Sequence, residues 1–339
     1  MIWLTWRQFR GPALMMAGVL TVFGAALALT GPGLADDYAK GISGCAGHAD
    51  GCARFLDRFL DSHQSAFLGV SGLLLLLPAL IGLFWGAPLV ARELETGTFR
   101  MAWTQSVRRT RWLAAKVALV GLAAMAAAGI GTLAVTWWAS PLDKSAVDSY
   151  PRLEAIVFAT RGIVPVGYAA FAFALGVTVG MLVRRALPAM ALTLAVFALV
   201  QIAMPTFVRP QLAEPVTTTS AFSTRNIDGV GEGGLLHTQA RVADPGAWIL
   251  SSRTVDKDGR TVPLIDLPDA DMARCDRAPS PGEAMQCVTD TANRLGYRQE
   301  ATYHPASRYW PFQWAETGIY AALALGLTGF CFWWTKRRL

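Results

Sequence analysis

Charge is the scarcest commodity in this 339-residue chain: Asp, Glu, Lys and Arg make up 16% of it, where a soluble globular domain carries about one quarter. That shortfall excludes an ordinary water-soluble fold for most of the length. No long run of Lys and Arg with interleaved aromatics occurs, so the net charge of +6 gives no footing for nucleic-acid binding. GxxxxGK[ST] is absent, which excludes a nucleotide held in the P-loop manner, and so is HExxH. The nearest approaches to GxSxG, at Gly41-Ile42-Ser43-Gly44-Cys45 and Gly69-Val70-Ser71-Gly72-Leu73, both lack the second glycine. Histidine is limited to His48, His63, His237 and His304, and there is no chain of buried Asp, Glu or His to relay protons or hold sodium.

Apolar residues, by contrast, make up 53% of the chain and are gathered into six blocks of 18 to 25. A hydrocarbon core of roughly 30 Å takes about 20 helical residues. The sequence therefore predicts an all-α polytopic membrane protein, with spans at 13–30, 66–90, 113–138, 162–183, 188–205 and 313–334. Pro78, Pro88 and Pro165 fall inside these spans, which membrane helices tolerate. Ahead of them, residues 1–12 read as an amphipathic interfacial helix. Trp3, Trp6 and Phe9 face lipid, Arg7 and Arg10 face water, and Gly11-Pro12 breaks the helix. Thr30 to Asp36 offers a poor cleavage site, so the first span reads as uncleaved.

Lys and Arg set the orientation. With the N-terminus in the cytoplasm, inside segments hold thirteen cations and the short outside loops six. Both termini are then cytoplasmic and the protein is a multi-pass plasma-membrane protein in contact with lipid. The same topology places Cys45 and Cys52 in the first outside loop, Cys275 and Cys287 in the long outside segment, and Cys331 in the last span. Pairs confined to the oxidising side predict disulfides Cys45–Cys52 and Cys275–Cys287. Cys45, His48 and Cys52 also have metal-like spacing, but an oxidising loop disfavours thiolates, so no metal is expected.

Residues 206–311 form the one large polar region and read as a small mixed α/β extracytoplasmic domain between spans five and six. A hairpin is expected over 248–265 around Asp256-Lys257-Asp258-Gly259, and a helix from Ser280 to Leu295. Segment 51–64 is amphipathic and is expected to rest on the outer surface or against that domain. The chain thus divides into 1–12, 13–205, 206–311, and 312–339 with the last span and a basic tail.

Two polar residues fall in or beside spans: Gln201 in the fifth and Glu316 near the outer end of the sixth. Together they are candidates for a translocation path. Glu316 also follows Trp310, Phe312 and Trp314, which suits an interfacial carboxylate facing water. In the third span Gly121, Ala124, Ala128 and Gly131 suit close helix packing. The cytoplasmic segment 91–112 is the most distinctive. Phe99, Ala102, Trp103 and Val107 share a helical face, fitting either a surface helix or a docking helix for a partner.

That segment carries Arg92-Glu93-Leu94-Glu95-Thr96-Gly97-Thr98, then Gln105-Ser106-Val107-Arg108-Arg109-Thr110-Arg111, then Lys116. It resembles the permease subunits of ABC-2 type transporters, as does the order of interfacial helix, six spans and polar loop before the last. The run Tyr303 to Gln313 looks like the pre-span segment of an actinobacterial branch with a large outside loop. The resemblance implies a non-enzymatic subunit of an ATP-driven exporter, paired with a second permease subunit and with separate ABC ATPase subunits that bind the ATP. It implies no cofactor in this chain. Glu93, Glu95, Gly97 and Thr98 would meet the ATPase, with Arg109 and Arg111 in support. Most relatives export drugs, antibiotics, lipids or polysaccharides, which points to a hydrophobic or amphipathic substrate. Two further classes stand beside this one: a membrane-anchored sensor or assembly factor working through 206–311, and an intramembrane transferase, for which no polar cluster beyond Glu316 is visible.

Overall fold

The computed structural model describes residues 2–45, 51–97, 108–147, 149–230, 235–238, 241–262 and 265–338. Among these described residues six helices are long and apolar enough to cross a membrane. Helix α1 runs Ile2–Cys45 and α2 runs Gly51–Ile81. A π-helical turn at Gly82–Gly86 joins α2 without a break to α3, Ala87–Thr96. Helices α4 (Arg109–Ser145), α5 (Val164–Val183) and α6 (Ala186–Ala203) follow. Beyond a stretch of short strands come α7 (Asp269–Cys275), α8 (Pro281–Arg294) and the last span α9 (Tyr309–Arg337). Two compact units result, Met1–Leu212 with Tyr309–Leu339, and Ala213–Arg308.

Gly11-Pro12 does not break the first helix, and neither does Pro32. A proline removes one backbone donor, whereas leaving the helix in an apolar medium strands several, so the hydrogen-bond ladder continues past it. Residues 2–12 are therefore the first turns of α1. Trp3, Trp6 and Arg7 are exposed, and Phe9 is buried edge-on to Trp85 with ring centroids 4.8 Å apart. Segment 51–64 is likewise the first part of α2, with Phe59 in the helical core and Leu60 buried. Between these helices the disulfide Cys45–Cys52 holds its Cα atoms 5.0 Å apart. His48 and Thr98, with the 98–107 stretch that contains Phe99 and Trp103, lie outside the described residues.

Helix α5 is central: 16 of its 20 residues are buried, and α2, α3, α4, α6 and α9 all pack on it. Apolar side chains gain little from contact with each other rather than with lipid, so close backbone approach must hold such helices together. Gly176 and Gly180 of α5 face Gly82, Gly86 and Ala87, and a Cβ on either α5 glycine would overlap that backbone. The small residues Gly121, Ala124, Ala128 and Gly131 form a buried face of α4, where Phe173 and Leu74 take up the space. Long apolar side chains elsewhere face outward, Leu29 at 84% exposure and Leu187 at 79% among them, as a lipid-facing surface requires.

The Ala213–Arg308 unit has its own core of Phe222, Ile265, Leu267, Val288 and Ala292. One antiparallel sheet has the order β1 (Val216–Ser220), β7 (Arg298–His304), β4 (Trp248–Val255), β5 (Thr261–Val262). A second consists of β2 (Ile227–Val230), β3 (Leu235–Thr238) and β6 (Ile265–Asp266). The expected hairpin is the β4–β5 pair, Thr254 opposite Val262. In its turn the amides of Arg260 and Asp258 hydrogen-bond the Asp256 carboxylate, and with the Arg260 guanidinium they hold its pKa below the ordinary value. Ser280 caps α8 by accepting from the Glu283 amide. Cys275 and Cys287 are bonded with Cα atoms 5.4 Å apart, which restricts the unfolded chain and stabilises the unit by roughly 3 kcal/mol. The unit starts at Ala213 because Met204–Val208 and Arg209–Gln211 continue from α6 as π and 3-10 turns.

Candidate functional site

Two clusters of charged and polar side chains lie within the helical unit, one at each end of the bundle. The first is where α3 ends and α4 begins. Gly97 takes the left-handed conformation (φ 71°) that closes a helix without a Cβ penalty, so α3 ends there cleanly. Residues 93 and 95 are about 200° apart around a helix axis, so they point to different neighbours. Glu93 turns inward: its Oε1 accepts from Lys116 Nζ of α4 at 2.5 Å, with side chains 15% and 5% exposed. This differs from the expected surface contact. Glu95 is exposed, and its Oε2 accepts from the Ala186 amide at the start of α6 at 3.1 Å. A carboxylate there also complements the helix dipole. Glu95 lines an open cleft with Leu94, Arg184, Arg185 and Leu187. Arg109 and Arg111 are exposed on the first turn of α4.

The second cluster lies where α6 ends and α9 begins. Glu316 does not face water. It is wholly buried, on the α9 face that also carries Phe312, Gln313 and Tyr320. Arg209, 1% exposed, meets it with two parallel hydrogen bonds, Nε to Oε2 at 2.8 Å and Nη2 to Oε1 at 3.1 Å. The Tyr168 hydroxyl of α5 donates to Glu316 Oε1 at 2.6 Å, and the guanidinium sits 3.9 Å over the Phe158 ring. Two buried ions need this much, because desolvating each costs several kcal/mol before any partner is counted. Tyr320 packs on Tyr168 with ring centroids 4.7 Å apart and donates to Gln201 Oε1 at 2.7 Å. Gln201 and Glu316 are thus linked through Tyr320 and Tyr168.

Gln313 anchors the same end. Its Oε1 accepts from the amides of Ile163 and Val164 at 2.9 and 3.0 Å. Its Nε2 donates to the carbonyls of Phe158 and Arg161. Every donor and acceptor of the amide is used, and α5 starts capped. Gly162 (φ 69°) allows the approach, since a Cβ there would meet Gln313 Oε1 at 2.6 Å.

Sequence reasoning passed over Arg209 and Gln313. A span boundary at 205 left Arg209 among the cations of the polar segment, although a carboxylate at 316 already required a partner. Among the described residues no three His, Cys, Asp or Glu side chains gather as metal ligands. The second cluster joins helices: its ion pair and hydrogen bonds tie α5, α9 and the turn that follows α6 together.

Among the described residues six apolar helices of membrane-spanning length, with α5 at their centre and ion pairs at both ends, define a multi-pass α-helical membrane protein. Residues 17–209 match the family described as ABC-2 membrane transporter related. The chain belongs to that family, and its role is that of a transporter permease. No curated protein and no solved structure matches it.

Proposed function

We propose that the chain is the membrane-spanning permease subunit of an ATP-driven exporter, working with a second permease subunit and with a separate ATPase that docks at the α3–α4 end. Permeases of this family generally work with an ATPase partner. The observation that carries the reading is the construction of that end: exposed Glu95, Arg109 and Arg111 stand on helix termini tied into α4 and α6. Glu95, Gly97, Arg109 and Arg111 make the contact, in keeping with the 92–116 motif. The thirteen-to-six cation count makes this end cytoplasmic, with both termini there, in a plasma membrane. The substrate is hydrophobic or amphipathic, and ATP binds only in the partner. A second reading, a sensor acting through Ala213–Arg308, draws on that unit having its own core and disulfide.

A tagged chain extracted in mild detergent should retain a P-loop ATPase of separate chain, and the sample should hydrolyse ATP. Retention of none, with no hydrolysis, overturns the permease reading. Glu95→Arg removes the carboxylate from the α6 amide and reverses the charge offered to the partner. Export of a fluorescent amphiphile from cells should fall about tenfold, the scale of one lost charge-assisted hydrogen bond. The protein should stay in the membrane and ATP should still be hydrolysed. Normal export by this variant would rule out the docking assignment.

A further inference from the structure

Among the buried ion pairs of the described residues, Arg209–Glu316 and Lys116–Glu93 are built differently, and the difference points to different work. Arg209 grips Glu316 through two parallel bonds, a planar fork that fixes orientation. Lys116 holds Glu93 through one bond, from a rotatable ammonium on a flexible stem. The other carboxylate oxygen, Glu93 Oε2, is buried and has no hydrogen-bond partner among the described residues. Around the pair the packing is apolar: Val90, Ala91 and Leu113 are at 0% exposure, and the Trp112 ring lies 5.1 Å from Lys116 Nζ. Among the described residues neither charge has a second ionic partner, so separation of α3 from α4 leaves the two ions without each other. A single bond on a flexible stem lets the two helices pivot while staying tied.

We infer that Glu93 and Lys116 form a pivoting tie that hands displacement of the α3 end to α4, making Glu93 a positioning residue rather than a docking contact. The inference rests on the permease reading and deepens it. Within that reading the partner pushes on the exposed face of the α3 end, where Glu95 stands, and the inward-facing carboxylate two residues earlier passes the motion to the next span. The pair adds a directional link between α3 and α4 to their apolar packing, since interhelical polar contacts are among the forces that join helices in lipid.

The test uses the full chain in nanodiscs with the ATPase that copurifies, and an environment-sensitive dye at Ala118→Cys on the exposed side of α4. The free cysteine already present, Cys331, is buried. The readout is the dye signal on trapping with ATP and vanadate, recorded beside the amount of ATPase retained. Glu93→Gln and Lys116→Met should behave alike. Each should keep the ATPase bound and lose the α4 signal about tenfold, and the exchanged pair Glu93→Lys with Lys116→Glu should recover at least half of it.

Loss of the ATPase from Glu93→Gln but not from Lys116→Met overturns the inference, because Glu93 would then be the contact itself. A full α4 signal in both single variants overturns it too. If the single variants do not fold, the exchanged pair decides: a restored signal supports the tie and an absent one overturns it. Absence of any ATPase from the unsubstituted chain removes the permease reading and this inference together. That result is told apart because it arises before any substitution.

Discussion

Replacing Glu316 by Leu should destabilise the helical unit by about 3–5 kcal/mol, because it leaves the Arg209 guanidinium buried with no counter-charge. Arg209 is 1% exposed and gives both of its short hydrogen bonds to that carboxylate. The Phe158 ring beneath it offsets only part of the loss, since a desolvated cation–π contact contributes about 2 kcal/mol. Arg209→Met should cost as much for the opposite charge. The double variant should recover most of the stability, since apolar side chains of similar volume replace a buried pair at little or no cost. Thermal unfolding of the purified protein in one detergent checks all three. Single variants as stable as the parent would show that the pair is open to water. A double variant no better than its parents would show that the two residues act separately.

Glu316 also shows where the sequence misleads. Its aromatic neighbours suggested an interface facing water, and Trp310 and Trp314 are indeed 53% and 66% exposed. They lie on the opposite face of α9 from Glu316, which shares its side with Phe312, Gln313 and Tyr320 at offsets of three and four. Helical phase, not position along the chain, decides which side Glu316 faces. The spans themselves were legible because length and hydropathy suffice to mark a membrane helix. Their buried sides were not. Lipid-facing and core-facing positions are both apolar, so α5, buried on nearly every side, reads like α6, most of whose length is not. Both disulfides were legible from the compartment argument, and the β4–β5 turn and the α8 cap from turn and capping chemistry. At the other end, the 92–116 motif drew attention to the right residues but not to their partition. Only the helix geometry separates Glu93, paired inward, from Glu95, facing out.

The tightest helix contact carries the other large effect. Gly180→Leu should separate α5 from α3 and unfold much of the bundle, because the new Cβ would overlap the Ala87 carbonyl, a backbone atom that cannot rotate away. Gly180→Ala tests the same point with one atom and should cost about 1–3 kcal/mol, the range for overpacking a filled site. Gly176→Ala should cost a similar amount, since its Cβ would lie 2.5 Å from the Gly82 carbonyl and 2.6 Å from the Ala87 amide. Gly326 supplies the control: it is also helical, but nothing lies within 4 Å of its added Cβ, so Gly326→Ala should be neutral or stabilise by about 0.4–1 kcal/mol. Comparing unfolding midpoints of the three alanine variants isolates packing from helix propensity, which favours alanine at every site. Equal tolerance at 180 and 326 would mean that α3 and α5 do not meet. The contact has a consequence at the α3 end: Gly180 seats Ala87, and Glu93 lies less than two turns further along the same helix. Any widening there shifts the carboxylate that holds Lys116, so variants at 180 should also weaken the α4 signal assigned to that pair.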